Sequence, residues 1–177
     1  MATFKISDYT VGPSEEFFFD TNVWLYIFAP IAGAKMTKQN VYSKLYSEVI
    51  SRGATIWINS QVIAEYVNVC LRFEFAQWKE RTKNYGAEFK KDYRSTSDYI
   101  LALKNVKIQI TAILQKSERI PDEFNSINIE SIIESMGSSI DYGDAIIVDL
   151  CKRKKYKLVT DDSDITKSSF SFAVLTA

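Results

Sequence analysis

The sequence predicts a single-domain α/β protein built on a mostly parallel sheet. Short apolar runs, rich in β-branched or aromatic residues, alternate along the chain with stretches that carry apolar residues at helical spacing. This alternation is typical of successive βαβ units. The chain has 177 residues, and 46% of them are apolar, which is enough for one core of ordinary size. No repeat, low-complexity segment or linker divides the sequence, so we expect one domain.

The predicted strands are short apolar runs that stop at polar or turn-forming residues. Each is too short for a helix and has the composition of a buried strand. In chain order they are Glu16–Asp20, Thr55–Ile58, a weaker one at 124–127, Lys157–Thr160 and Phe170–Leu175.

The predicted helices fill the intervals between these strands. Asn22 is expected to cap the first helix, and Pro30 and Gly33 are expected to end it. Residues 1 to about 14 are expected to form a tail. The predicted helices are Val23–Ala29, Thr37–Arg52, Gln61–Lys79, Asp98–Lys116, Ile129–Met136 and one that starts near Asp144.

Residues 79–94 are mainly charged, and two interpretations stay open for them. The first is a solvated helical hairpin. The second is a basic, aromatic clip, carrying Tyr85, Phe89 and Tyr93, that contacts nucleic acid or a partner chain.

Composition excludes several classes of function. The chain has no histidine, so catalytic triads that need an imidazole base and the usual zinc sites are excluded. Lys+Arg and Asp+Glu balance at 22 each, so the chain lacks the overall basic charge of many nucleic-acid-binding proteins. Any proton chemistry must therefore use carboxylates, lysine, tyrosine or metal-bound water.

The two cysteines and the hydropathy profile bear on location. Cys70 and Cys151 lie far apart in apolar helical surroundings, which favours buried thiols in a reducing compartment over a disulfide. No signal peptide and no apolar run long enough to span a membrane is seen. We therefore expect a cytoplasmic protein without membrane contact.

Acidic side chains are predicted to gather at one edge of the sheet. Asp20 ends the first strand, Glu65 lies on the third helix and Asp144 begins a later helix. The carboxyl ends of parallel strands share one edge, where α/β proteins bind ligands. Carboxylates held together need a cation, and oxygen ligands suit Mg²⁺ or Mn²⁺. Three more acids directly follow the strand at Lys157–Thr160, namely Asp161, Asp162 and Asp164.

Each of these acids also has an ordinary structural interpretation. Asp20 can be a turn or cap residue, and Glu65 can interact with a helix dipole. Asp141 and Asp144 have the spacing of a capping box. The acids of 161–164 can form a solvated turn, in which Thr160 orients one of them by a hydrogen bond.

The basic run Lys152–Lys155, together with Lys157, has two interpretations as well. Cations at the end of a helix offset the negative end of its dipole, which is the usual role of such a run. The alternative is that they attract phosphates towards the neighbouring acids.

The order of the acidic motifs resembles that of the PIN domain family. The motifs are Asp20-Thr-Asn22 after an apolar strand, Glu65, Gly143-Asp144-Ala-Ile-Ile and Leu158-Val-Thr160-Asp-Asp162-Ser-Asp164. Within that family the chain looks like the VapC-type toxins of bacterial and archaeal toxin–antitoxin pairs, over about residues 16 to 175. The resemblance implies a three-layer sandwich with about five strands, here with a helical insertion at about 79–120.

The resemblance also implies a function, a Mg²⁺- or Mn²⁺-dependent endoribonuclease. By motif, the catalytic and metal-binding acids are Asp20, Glu65, Asp144 and Asp162. Asp164 matches a further metal-binding acid, and Asn22 and Thr160 match polar residues that orient the acids. The choice among Asp161, Asp162 and Asp164 stays open, and Ile165 stands where the family often has Phe. The implied partners are an RNA substrate, a cognate antitoxin protein and a second copy in a homodimer.

Two other functions stay open. One is a non-catalytic PIN-like module that binds RNA or protein. The other is a flavodoxin-like phosphotransfer protein in which Asp20 accepts the phosphate; Lys167 is then the only candidate for the lysine that such proteins place beside it.

Overall fold

The computed structural model describes residues 3–29, 36–137, 140–167 and 171–177. Within them, six strands form one parallel sheet in the order β1-β6-β5-β2-β3-β4. The sheet agrees with the predicted α/β class. The strands are β1 Thr3–Lys5, β2 Glu16–Phe19, β3 Thr55–Ile58, β4 Glu118–Arg119, β5 Lys157–Val159 and β6 Val174–Thr176.

The six predicted helices lie within a few residues of their expected positions, and a short seventh helix among the described residues was not predicted. Gly53, at φ +70°, ends the second helix and allows the tight turn into β3. None of the helices in the described ranges is both long and apolar enough to cross a bilayer. They are α1 Thr21–Phe28, α2 Met36–Ser51, α3 Ser60–Thr82, α4 Ser97–Leu114, α5 Ile129–Ser135, α6 Tyr142–Lys154 and the short α7 Ser163–Thr166.

Two predictions about the edges of the sheet were wrong. The expected tail contains β1, which pairs with β6. The weak strand expected at 124–127 is a 3₁₀ turn, and the edge strand is instead β4, which pairs with β3. The residues of β1 and β4 are exposed, so these strands carry no buried apolar pattern that sequence reasoning could detect. Pro30, Gly33 and Phe170 lie outside the described residues.

The core centres on β2. Phe17, Phe18 and Phe19 are completely buried, although successive residues of a strand face opposite sides of the sheet. Both faces of β2 are therefore covered, as is usual for a parallel sheet. Trp24 of α1 packs against Phe19, and Tyr42 of α2 is also completely buried. This rigid centre fixes the position of the residues that follow β2 and its neighbour β5.

Residues 79–94 combine features of both interpretations. Tyr85 is exposed, as a clip would require, but Tyr93 is 1% exposed and packs with Phe75 and Trp78 in a small aromatic cluster. That cluster lies where α3 and α4 pack together. Tyr93 therefore stabilises the helical hairpin and is not available to a partner.

Cys70 and Cys151 are buried free thiols, as predicted from their positions in apolar helices. Burial raises the pKa of both thiols, to about 11 for Cys70. Neither has the character of a reactive thiolate.

Candidate functional site

Four predicted acids line one cavity at the carboxyl ends of the central strands. Asp20 directly follows β2, and Asp162 follows β5, which pairs with β2. Glu65 reaches the cavity from α3, and Asp144 from the first turn of α6. The cavity has a volume of about 390 Å³, and we call it the acidic cavity. Its other polar lining residues are Thr21, Asn22, Gln61, Asn68 and Asp141.

Asp20 is the most deeply buried of the four, with 6% of its surface exposed. Its Oδ1 accepts the backbone N–H of Thr21 at 2.6 Å and so caps α1. Its Oδ2 accepts the Thr160 hydroxyl at 2.7 Å and the Asn22 amide at 2.6 Å. The structural interpretation of Asp20 as a cap is therefore correct, and it coexists with a place in the cavity. Asn22, expected to be the cap, lies inside the helix.

Asn22 and Thr160 join the loop after β5 to the start of α1. The Asn22 carbonyl oxygen accepts the backbone N–H of Asp161 at 3.0 Å. The Thr160 hydroxyl accepts the backbone N–H of Asp162 at 3.0 Å while it donates to Asp20. These bonds fix Asp162 relative to Asp20.

Of the three acids after β5, only Asp162 lines the acidic cavity. Asp161 is instead held by Lys38 at 2.6 Å and by the hydroxyls of Tyr26 at 2.8 Å and Tyr42 at 3.1 Å. Asp164, which the resemblance gives as a further metal-binding acid, is not among the described residues that line the cavity, and its metal role stays a prediction. Asp164 lies in the first turn of α7, and its backbone N–H donates to Oδ1 of Asp162 at 2.7 Å.

Sequence reasoning missed Thr21, whose hydroxyl donates to Oε2 of Glu65 at 2.7 Å. The bond ties α3 to the start of α1. Gln61 and Asn68 also line the cavity but were not among the predicted site residues. They lie four residues before and three residues after Glu65, so helical spacing places all three on one face of α3. The spacing from Glu65 to Asn68 is visible in the sequence, and the same spacing rule would have added Gln61.

Asp141 and Asp144 form the capping box that was the structural alternative for this pair. Oδ1 of Asp141 accepts the Asp144 backbone N–H at 2.9 Å, and Oδ2 of Asp144 accepts the Asp141 backbone N–H at 3.4 Å. Asp144 therefore both caps α6 and lines the acidic cavity.

The acids of the cavity destabilise one another's charged forms. Burial, with the negative charges of Glu65 and Asp144, raises the pKa of Asp20 to about 6, although its hydrogen bonds act in the opposite direction. Burial and the charges of Asp141, Asp162 and Glu65 raise the pKa of Asp144 to about 6. A bound cation would remove this mutual repulsion.

The donor set of the acidic cavity suits a hard divalent cation. All the candidate ligands are carboxylate oxygens, which Mg²⁺ and Mn²⁺ prefer. Among the described residues, no three acidic or thiol side chains already surround a single point closely enough to ligate an ion. Metal binding would therefore draw the carboxylates slightly closer together.

The fold is similar to that of a chain in a solved structure. A chain in the crystal structure of VapBC2 from Rickettsia felis bound to a DNA fragment from their promoter superposes with a TM-score of 0.52. The match covers 92% of this chain and 98% of that chain, at 15% sequence identity. At such low identity the likeness shows the fold alone.

The sequence comparisons give the family. A search of the curated proteins finds no significant match. A family model described as PIN domain matches residues 17–170, a range that begins in β2 and includes all four acids of the cavity. The match extends over most of the sequence, and we conclude that this chain belongs to the PIN domain family.

Proposed function

We propose that this protein is a Mg²⁺- or Mn²⁺-dependent endoribonuclease, the toxin of a toxin–antitoxin pair. The observation that carries the proposal is the shared acidic cavity of Asp20, Glu65, Asp144 and Asp162 in a chain of the PIN domain family. Four carboxylates from separate elements lie where an α/β sheet binds its ligands. The chain has no histidine that could act as a general acid or base in place of these carboxylates.

The four acids would hold one or two divalent ions. A bound ion of this kind supplies an activated water and stabilises negative charge on the phosphodiester. The surrounding residues keep the carboxylates in place: Thr21 holds Glu65, and Thr160 holds Asp20. Preorganisation of this kind spares the cost of ordering the acids each time substrate binds.

Neutral groups beside the acids are suited to the substrate. Gln61 and Asn68 contribute amides to the wall of the cavity. Amides can hydrogen-bond to phosphate or ribose oxygens without adding negative charge to a site that must admit a polyanion. RNA is the proposed substrate.

The proposed partner is a cognate antitoxin protein. The similar structure is of VapBC2, and the sequence resemblance independently implies such a pair. Ile100, Leu101 and Ile108 of α4 each expose more than half of their surface, which gives an apolar face suited to the antitoxin or to a second copy in a homodimer.

The structure disfavours the phosphotransfer alternative. A phosphate-accepting aspartate of that class needs a lysine beside it, and the described part of the acidic cavity has none. Lys167, the only candidate lysine for that chemistry, is not among the residues that line the cavity.

The decisive experiment is RNA cleavage by an Asp144→Asn variant. Full-length protein is incubated with single-stranded RNA in Mg²⁺ or Mn²⁺, and in EDTA. We expect the variant to lose at least about 100-fold in rate, since the loss of a metal ligand exceeds the cost of altering its surroundings. Asp149→Asn is the matched control, because Asp149 lies on the same helix but pairs with Arg153 away from the cavity.

Wild-type cleavage by Asp144→Asn in the same metal would refute the assignment. If wild-type protein bound RNA but cleaved none in either metal, the chain would be the non-catalytic PIN-like module.

A further inference from the structure

The basic run of α6 divides into two groups with different surroundings. Arg153 forms ion pairs with Asp149 and Glu123, both at 2.7 Å. Lys154 pairs with the same Glu123, also at 2.7 Å. These two cations are therefore occupied in structural ion pairs, whereas Lys152 and Lys155 face elsewhere.

Lys152, Lys155 and Lys157 line a separate cavity of about 600 Å³. Phe4 of the edge strand β1 and Tyr9 line the same space. We call it the basic cavity. No other cavity described above brings several cations together.

Two of these three lysines have unneutralised charges. Lys157 pairs with Glu15 at 3.1 Å, and Glu15 also accepts the hydroxyl of Tyr9 at 2.7 Å. No ion pair of Lys152 or Lys155 is found in the described part of the chain, and both side chains are exposed. The cavity therefore carries a net positive charge in a protein whose formal net charge is zero.

The basic cavity lies at the opposite end of α6 and β5 from the acidic cavity. Asp144 is in the first turn of α6, and Lys152 is in its last turn, eight positions later. That separation is about 12 Å along the helix axis. Lys157 begins β5, whereas Asp162 follows its end. The lysines are therefore not placed to bring phosphates to the acids.

Compensation of the helix dipole accounts for only part of this arrangement. Cations in the last turn of α6 offset the dipole, and Arg153 and Lys154 already supply two of them. Dipole compensation does not explain why Lys157, which lies outside α6, shares a cavity with Lys152 and Lys155. It also does not explain Phe4, which is 40% exposed beside them.

We propose that the basic cavity binds a nucleotide, with its phosphate between Lys152 and Lys155 and its base against Phe4. Unpaired ammonium groups bind phosphate, and an exposed aromatic ring stacks on a base of any sequence. The ligand is a free nucleotide or one nucleotide of an RNA chain, which present the same chemistry to the site. This site is independent of the acidic cavity and of the proposed cleavage.

Binding is tested on the full-length protein in EDTA, so that metal-dependent cleavage plays no part. The probes are a fluorescein-labelled 10-nucleotide single-stranded RNA, followed by polarisation, and AMP, followed by calorimetry. The test variant is Lys152→Gln/Lys155→Gln. The matched control is Lys104→Gln/Lys107→Gln, which removes two exposed cations from α4. Thermal melts establish that both variants are folded.

We expect the test variant to bind the RNA roughly tenfold more weakly, and the magnitude of the slope of log K against log salt concentration to fall by about 0.7, as for one lost phosphate contact. The control should keep the wild-type affinity to within about twofold. Phe4→Leu keeps the apolar volume but removes the ring; it should weaken binding roughly fivefold or more and leave the salt slope unchanged.

The two probes distinguish a site for a free nucleotide from a contact with one nucleotide of an RNA chain. Binding of AMP that the test variant loses would identify a free-nucleotide site, and binding of the RNA alone would identify a contact with an RNA chain. Equal losses in the test and control variants, or binding of neither ligand by the wild type, would overturn the proposal.

Discussion

Thr160 donates its hydroxyl hydrogen to Oδ2 of Asp20 across 2.7 Å, joining the residues that directly follow two paired strands. Thr160 is completely buried, and Asp20 is 6% exposed. The position of the Asp20 carboxylate is therefore set by the pairing of β2 with β5. A mobile loop would not hold the acid as firmly.

Replacing Thr160 with Val should destabilise the protein and impair the acidic cavity together. The change removes the donor to Asp20 and the acceptor for the Asp162 backbone N–H, so buried polar groups lose their partners. We expect a loss of about 1–3 kcal/mol in the free energy of unfolding, measured by urea denaturation in EDTA. RNA cleavage should also fall.

Thr160→Ser is the control, since it keeps the hydroxyl and removes only a methyl group. It should recover most of the cleavage that Thr160→Val loses. Two equally active variants would show that the hydroxyl does not position the acids.

The raised pKa values of Asp20 and Asp144 predict that the metal-free protein loses stability as pH rises. Both have pKa values of about 6 in the folded protein, against an ordinary value of 3.8. The folded state therefore holds these protons more tightly than the unfolded chain. Their contribution is full below about pH 4 and is lost as pH rises through about 6. For buried Asp20 it is on the order of 3 kcal/mol.

The difference in the free energy of unfolding between wild type and Asp144→Asn reports the contribution of the Asp144 carboxyl group. In EDTA, the variant should gain stability relative to wild type between pH 4.5 and pH 7.5, because it has no carboxyl group to ionise there. Saturating Mg²⁺ should cancel that gain, since the cation relieves the repulsion in the wild type. Urea denaturation at the two pH values measures both effects, and a difference that does not change with pH would contradict the repulsion.

The acids after β5 show where sequence reasoning stops. Asp161, Asp162 and Asp164 are alike in the sequence, and the strand before them predicts only that they lie near the edge of the sheet. Whether Asp161 lines the acidic cavity depends on Lys38, which is 123 residues away in the chain and holds Asp161 outside the cavity. A contact between such distant residues leaves no local pattern.

The fold was predictable where burial leaves a pattern. The apolar runs of β2, β3 and β5 and the helical spacing of α2 to α4 located those elements within a few residues. The edge strands β1 and β4 were missed because their residues are exposed and are held by backbone pairing. Asp20 and Asp144 were found because they lie next to elements that were predicted correctly.

Mg²⁺ should stabilise the protein through Asp162 and not through Asp164. With the ion at 100 times its dissociation constant, the free energy of unfolding should rise by about 2.7 kcal/mol and the melting temperature by roughly 5–10 °C. Asp162→Asn should lose most of this shift. Asp164→Asn should keep it, because Asp164 does not line the cavity. Thermal melts with and without Mg²⁺ measure it, and the opposite ranking of the two variants would assign the ligand to Asp164.

Lys38 and Asp161 should stabilise the loop after β5 without taking part in metal binding. Lys38→Met removes the ion pair at 2.6 Å, and Asp161→Asn weakens the same contact from the other side. Each should lower the free energy of unfolding, and the double variant should lose less than the sum, with a coupling of about 1 kcal/mol.

The Mg²⁺-dependent rise in melting temperature distinguishes this role from ligation. It should persist in Lys38→Met, in Asp161→Asn and in the double variant, because Asp161 is bound to Lys38, Tyr26 and Tyr42 on the side away from the acids. Loss of the rise in Asp161→Asn alone would mean that Asp161 leaves Lys38 to ligate the ion. Asp161 and Asp162 would then both be ligands of the ion.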